Sequence, residues 1–261
     1  MRVKRLLVTC ISALLFTASA PSAVAIVGGE EVDYPWAAAL IRPNNGTPVE
    51  QRTYCSGVLI KPEWVLTAAH CQPKIGDTVT IGRGRLASTG GEKRTVADTR
   101  RMWDYGGYCP PDRPELCDVA LVKLSTASTQ PDLDLADSRV LSEWNEGTAA
   151  RAYGYGFTSS TSTQSSGSLK RAHVKIVDLR DNHYTLFASG PDTAVCYGDS
   201  GGPLVVSTSL GPRVVAVVRA RVGHDPTSCT PGDEQSYVKV GYRGSANNSQ
   251  PFLWITDMLR P

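Results

Sequence analysis

The sequence carries almost no net charge, because 27 lysines and arginines stand against 25 acidic residues. That balance excludes a nucleic-acid binder working through a bulk positive field. No two cysteines sit at the CxxC spacing of a metal knuckle, so a structural zinc site has no support. No dense carboxylate loop argues for calcium. Past the first 25 residues there is no apolar run of the roughly 20 residues that a membrane-spanning helix needs. No internal repeat is strong enough to use. A composition 41% hydrophobic and 20% charged disfavours collagen, disordered and coiled-coil classes.

Glycine and proline are abundant, at 24 and 17 of 261 residues. Many fall between short β-favouring runs. These are Ala37–Ile41, Gly57–Ile60, Trp64–Thr67, Thr78–Ile81, Val119–Leu124, Ala149–Tyr153, Val174–Val177, Pro203–Val206, Val214–Val218 and Tyr237–Val240. Turn-rich pieces such as Arg42–Gly46 and Gly82–Gly91 separate them. The pattern predicts an all-β sandwich or barrel. The Ser/Thr-rich stretch Thr158–Ser168 suits either a linker or a surface loop. In the tail, Phe252, Ile255 and Leu259 recur at helical spacing. This predicts a short terminal helix docked on the body.

The first 25 residues read differently. Arg2, Lys4 and Arg5 form a basic start, and an apolar stretch runs from Leu6 to Ala18. Ala23-Val24-Ala25 then places small residues where a signal peptidase reads. This is the pattern of a secretory signal peptide. Leu7-Val8-Thr9-Cys10 faintly suggests a lipoprotein box, but Thr9 is the wrong residue before the cysteine and too little apolar sequence precedes it. Removing 25 residues with their three basic side chains leaves 236 residues carrying 24 basic and 25 acidic groups. Seven cysteines become six as Cys10 leaves. An even count in an exported chain suggests disulfides, with fifteen pairings open. The expectation is a secreted monomer with no membrane attachment after signal removal. Asn45-Gly46-Thr47 and Asn247-Asn248-Ser249 fit the glycosylation acceptor pattern, which matters only in a host with that machinery.

Three segments carry chemistry. In Gly198-Asp199-Ser200-Gly201-Gly202-Pro203, glycines flank a serine. They permit a tight turn that exposes the hydroxyl and leaves backbone N–H groups free for a developing oxyanion. Alone, such a turn is also an ordinary hairpin loop. Thr67-Ala68-Ala69-His70-Cys71 follows one apolar run, and Cys117-Asp118 precedes another. That second placement puts Asp118 at the start of a buried strand. His173, His183 and His224 sit in polar or loop-like contexts without a matching motif, as do Asp112, Asp132 and Asp134. They read as surface or structural groups.

In the order His, Asp, Ser, and with Ile26-Val27-Gly28-Gly29 at the proposed mature start, these segments resemble the trypsin/chymotrypsin serine proteases. The resemblance spans residues 26–203, and Tyr237–Val240 with the tail extends it nearly to the end. It implies two antiparallel six-stranded β-barrels with the active site in the cleft between them. The first would occupy 26–145. The second, with the short C-terminal helix, would occupy 146–261. The resemblance also implies that Ser200 is the nucleophile, His70 the general base and Asp118 the carboxylate that holds the imidazole. The N–H groups of Gly198 and Ser200 would form the oxyanion hole. A serine hydroxyl is a poor nucleophile near neutral pH, and imidazole is the side chain suited to shuttling its proton there. By the same resemblance Cys55 pairs with Cys71 and Cys196 with Cys229, which leaves Cys109 with Cys117. The mechanism requires no metal and no organic cofactor. The expected partners are protein or peptide substrates and protein inhibitors, and no nucleic acid.

The family's activation step implies that a new Ile26 ammonium pairs with Asp199. Ile26 directly follows Ala25, so signal removal itself would expose it. Cleavage after Ala20 would put Pro21 first, which signal peptidases generally disfavour. The substrate pocket departs from the trypsin pattern. Ala194 stands where cutters of Lys or Arg have an aspartate, and Arg219-Ala220-Arg221 stands where Ser-Trp-Gly is usual. Gln235 would also line the pocket. A small or apolar residue before the scissile bond is the first reading. An acidic residue read by Arg221 or Arg219 is the second, and a restricted pocket is the third. Both arginines also read as plain surface charges on an edge strand. The rival class is a non-catalytic relative that binds a partner, and the intact His70, Asp118, Ser200 and Gly198 argue against it. The all-β context, without a strand-to-helix elbow, disfavours a dedicated esterase.

Overall fold

The computed structural model describes residues 26–179, 184–221, 229–245 and 249–260. Residues 1–25, His183, His224 and the Asn247-Asn248 part of the second glycosylation pattern lie outside the described residues.

Strand β1 (Glu30–Glu31) is followed by β2 (Ala37–Ile41), a one-turn helix α1 (Val49–Arg52), β3 (Thr53–Lys61) and β4 (Trp64–Thr67). Then come β5 (Thr78–Ile81), β6 (Glu92–Arg101) and β7 (Ala120–Leu124). Strands β2 to β7 close into a barrel in the order β2-β3-β4-β7-β6-β5. Every pairing in it is antiparallel, and β2 with β5 makes the closing seam.

A second ring holds β8 (Ala149–Gly154), β9 (Lys170–Asp178), β10 (Thr185–Ser189), β11 (Pro203–Thr208), β12 (Gly211–Arg221) and β13 (Gln235–Lys239). The order is β9-β10-β13-β12-β11-β8, closed by β8 on β9, with β1 added to the outer side of β9. These are the two closed six-stranded barrels that the resemblance implied.

The strands form for ordinary reasons. In β9 the odd positions face solvent and the even ones the core: Ala172, Val174 and Ile176 are buried while His173 and Lys175 are exposed. That is the period-two alternation of a strand with one wet face. His173 is exposed and meets Glu30 on the surface, at 3.1 Å. At the joint between the barrels Trp36 meets Tyr34 and Tyr153, each with centroids 4.9 Å away.

The terminal helix, α2 (Gln250–Met258), returns to the first barrel. Its anchor is Trp254, fully buried and 5.9 Å from the Tyr105 ring. Phe252, which the spacing placed on the buried face, is only half-buried, whereas Ile255 is buried as expected. Among the described residues no helix is long and apolar enough to cross a membrane.

Candidate active site

The pairing of β4 with β7 builds the first half of the site. Thr67 at the end of β4 lies opposite Ala120 at the start of β7. The chain running on from Thr67 and the chain arriving at Ala120 therefore meet on one rim. On that rim a tight turn, Ala69–Cys71, carries His70. Asp118 arrives from another turn, Pro114–Cys117. Its carboxylate is buried and accepts two hydrogen bonds from the same residue. The His70 backbone N–H donates to Oδ1 at 2.7 Å, and Nδ1 lies 2.6 Å from Oδ2. The His70 ring edge is partly open, with 42% of the side chain exposed against 5% for Asp118. Disulfides brace both turns: Cys55–Cys71 beside His70 and Cys109–Cys117 beside Asp118. The third, Cys196–Cys229, ties the loop ahead of Ser200 to the segment before β13. All three pairs match those the resemblance implied. By contrast Asp112, Asp132 and Asp134 are exposed.

The second half comes from the other barrel. Gly198 (φ 85°) and Gly201 (φ 79°) enclose Asp199 and Ser200 in a turn open mainly to glycine. Space demands glycine at 201 too, because a Cβ there would lie 2.1 Å from Thr67 Oγ1. This loop is thus pressed against the end of β4, and the Ser200 carbonyl lies 3.8 Å from Sγ of Cys71, the residue after His70. The Ser200 carbonyl accepts the N–H of Ser56 in β3 at 2.9 Å. Among the described residues no hydrogen bond joins the Ser200 hydroxyl to His70. The peptide before Gly198 is fixed from its other end, because the Phe157 N–H donates to the Tyr197 carbonyl at 2.6 Å.

Asp199 points away from this cleft and is fully buried. It accepts from Gly156 N–H at 2.8 Å and Cys196 N–H at 2.7 Å. Desolvation pushes its carboxyl up to about 7, against those two hydrogen bonds, which act to lower it. Gly154 and Gly156 give the carboxylate room; a Cβ would stand 2.1 Å from Oδ1 at the former and 2.6 Å at the latter. Sequence reasoning missed both, although the alternation Tyr153-Gly154-Tyr155-Gly156 was a usable sign of close approach. Ile26 is also fully buried. Val27 exchanges backbone hydrogen bonds with Ala194, at 3.0 and 3.1 Å.

The remaining pocket candidates divide. Ala194 is buried and leaves no carboxylate at its position. Gln235 is fully buried; its Oε1 accepts from Tyr237 Oη at 3.3 Å and its Nε2 has no partner among the described residues. Arg219 is half-buried. The Glu115 carboxyl, lowered by its own backbone N–H and by Arg113, also feels the Arg219 charge. Arg219 is therefore within electrostatic reach of the loop before Asp118. Arg221 pairs with Gln235 in the backbone ladder, and its side chain lies outside the described residues. Exposed Tyr197, beside Phe157 with ring centroids 5.9 Å apart, forms an aromatic lip next to Gly198 that sequence reasoning did not single out.

Two barrels joined at such a seam, each contributing part of one polar rim, define the class of serine endopeptidases. The sequence model of the trypsin family matches residues 26–240, and the chain belongs to that family. Mouse kallikrein-11 is 29% identical, over 98% of this chain and 90% of its own length. Human kallikrein-5 is 30% identical, over 71% of this chain and 64% of its own length. A trypsin of Saccharopolyspora erythraea is 31% identical, over 71% of this chain and 83% of its own length. The protein is a serine endopeptidase acting on peptide bonds of proteins or peptides.

Proposed function

We propose that Ser200, His70 and Asp118 carry out acyl transfer, and that cleavage falls after small or apolar residues. The observation behind the first part is the grip of Asp118 on His70. With Nδ1 committed to the carboxylate at 2.6 Å, Nε2 is the nitrogen left to take the Ser200 proton. As Ser200 Oγ bonds to the scissile carbonyl carbon, its proton moves to Nε2 and the carbonyl oxygen becomes an oxyanion facing the Gly198 and Ser200 N–H groups. Collapse of that intermediate breaks the C–N bond, and His70 returns the proton to the leaving amine. Water then repeats the sequence on the acyl-enzyme and releases the acid. Contact between Ser200 and His70 tightens when substrate excludes water from the cleft.

Specificity follows from Ala194. Without a carboxylate there a basic side chain has no partner for its charge. A second reading, for acidic residues, draws on the buried Gln235 Nε2, which has no acceptor among the described residues, and on Arg219. Digestion of a peptide library by the wild type and by Ser200→Ala tests both parts together. The expected result is cutting after Ala, Val or Leu by the wild type alone. Cutting after Lys or Arg would overturn the specificity, and cutting by Ser200→Ala would overturn the nucleophile.

Activation belongs to the same proposal. Signal removal after Ala25 frees the Ile26 ammonium, which pairs with Asp199 and sets the working arrangement of the loop already held at Gly198 by Ser56. Secretion with a signal peptide accords with the three disulfides. N-terminal sequencing of the exported protein should begin at Ile26. A start at Pro21, with Ile26 released later, would contradict this.

A further inference from the structure

We infer that Ser56 is a positioning residue for the oxyanion-binding peptide of Gly198. The inference rests on the proposed reading of the Gly198 and Ser200 N–H groups as oxyanion donors.

Ser56 lies in β3 of the first barrel and is 1% exposed. Its hydroxyl has a single proton, donated to the Gly198 carbonyl at 2.8 Å. The same oxygen accepts the N–H of Tyr155, just past β8 of the second barrel, at 2.9 Å. Its backbone N–H donates to the Ser200 carbonyl at 2.9 Å. One residue of the first barrel thus holds the carbonyls of both proposed donor residues.

The geometry of glycine explains why that matters. Gly198 sits at φ 85°, and nothing in a glycine itself keeps it there. Its N–H is coplanar with the Tyr197 carbonyl, which Phe157 N–H holds at 2.6 Å. The peptide on its other side is held by the Ser56 hydroxyl. Gly198 is therefore clamped from both flanks, and its N–H direction is fixed before substrate arrives. A donor aimed in advance stabilises the charge that develops in the transition state. Remove the hydroxyl and the buried Gly198 carbonyl loses its partner, as does Tyr155 N–H. With that flank released, the torsions of Gly198 can relax and only the Phe157 bond still holds the peptide that carries its N–H, so the donor loses its fixed aim. The main-chain bond from Ser56 to Ser200 survives a side-chain change, so the nucleophile itself stays in place.

Ser56→Ala tests this, with Ser56→Gly as a second variant and thermal melting as the check on folding. The wild type is assayed first on a peptide substrate; an inactive wild type would sink the proposed function rather than this inference. In an active background, kcat should fall roughly 5- to 100-fold, the range for one buried hydrogen bond left unmade, with KM within about threefold. Affinity for a peptide boronate, whose adduct mimics the tetrahedral intermediate, should fall by the same factor as kcat. Affinity for a non-covalent product peptide should not change. A residue that merely links the barrels would lower the melting temperature without this split. The inference is overturned by a folded variant whose kcat and boronate affinity stay within about twofold of the wild type. A change in KM alone overturns it, and so does failure of both variants to fold.

Discussion

Asp199 is the single residue whose environment has the most consequence. While residues 1–25 remain attached, Ile26 carries an amide and not an ammonium. In that form burial pushes the Asp199 carboxyl up to about 7, from an ordinary value of 3.8. A folded-state value above the unfolded one means that the native chain holds the proton more tightly. The resulting stability is complete below about pH 3.8 and is lost as pH rises through about 7. Melting of the uncut chain with Ser200→Ala should therefore weaken from pH 4 to 7 relative to the same chain carrying Asp199→Asn in addition. Parallel melting profiles for the two chains would contradict this. The three residues proposed to react stand out in the sequence because each sits in its own short motif at the border of an apolar run. Ser56 does not. Cys55-Ser56-Gly57 looks like any strand interior, and its partners lie 99 and 142 residues away. Only the docking of the two barrels gives it a task.

Among the elements, the turn before β7 does the most for the site. Leu116 and Cys117 are buried in it, and Cys109–Cys117 closes a loop with a sequence separation of 8. Loop-closure entropy for a ring of that size is worth about 2–3 kcal/mol. Replacing both cysteines by serine should lower the melting temperature by roughly 5–10 °C in a domain of this length. An unchanged melting temperature would show that packing alone holds the turn. Eight of the ten apolar runs coincide with or lie inside observed strands, and Val119–Leu124 and Tyr237–Val240 each differ at the ends by no more than two residues. Strands β6 and β10 went unforeseen for physical reasons. In β6 only Val96 is buried, and most of the remaining positions carry charge, as in the Arg94–Glu92 pair. It is a strand because β5 and β7 both offer it ladders, not because of its own pattern. In β10, Thr185–Ala188 are all buried, so no alternation shows. The tail helix was found, but Trp254 sits one residue from the face that the spacing of Phe252 and Ile255 suggested.

At the scale of the molecule, neither barrel holds a working site. The first supplies a histidine and its carboxylate on adjoining turns, and the second supplies the serine turn and the buried aspartate beneath it. Two of the hydrogen bonds that cross between them, Ser56 N–H to the Ser200 carbonyl and Ser56 Oγ–H to the Gly198 carbonyl, run directly behind the place where charge would develop. The central claim is that this seam performs acyl transfer through Ser200. The measurement that tests it most directly is rapid mixing of the processed protein with a p-nitrophenyl ester, followed by mass analysis of the quenched protein. The account predicts a burst of about one nitrophenolate per molecule, an acyl group on the peptide that contains Ser200, and loss of both in Ser200→Ala. A burst that persists in Ser200→Ala, or an acyl group on another residue, would contradict it.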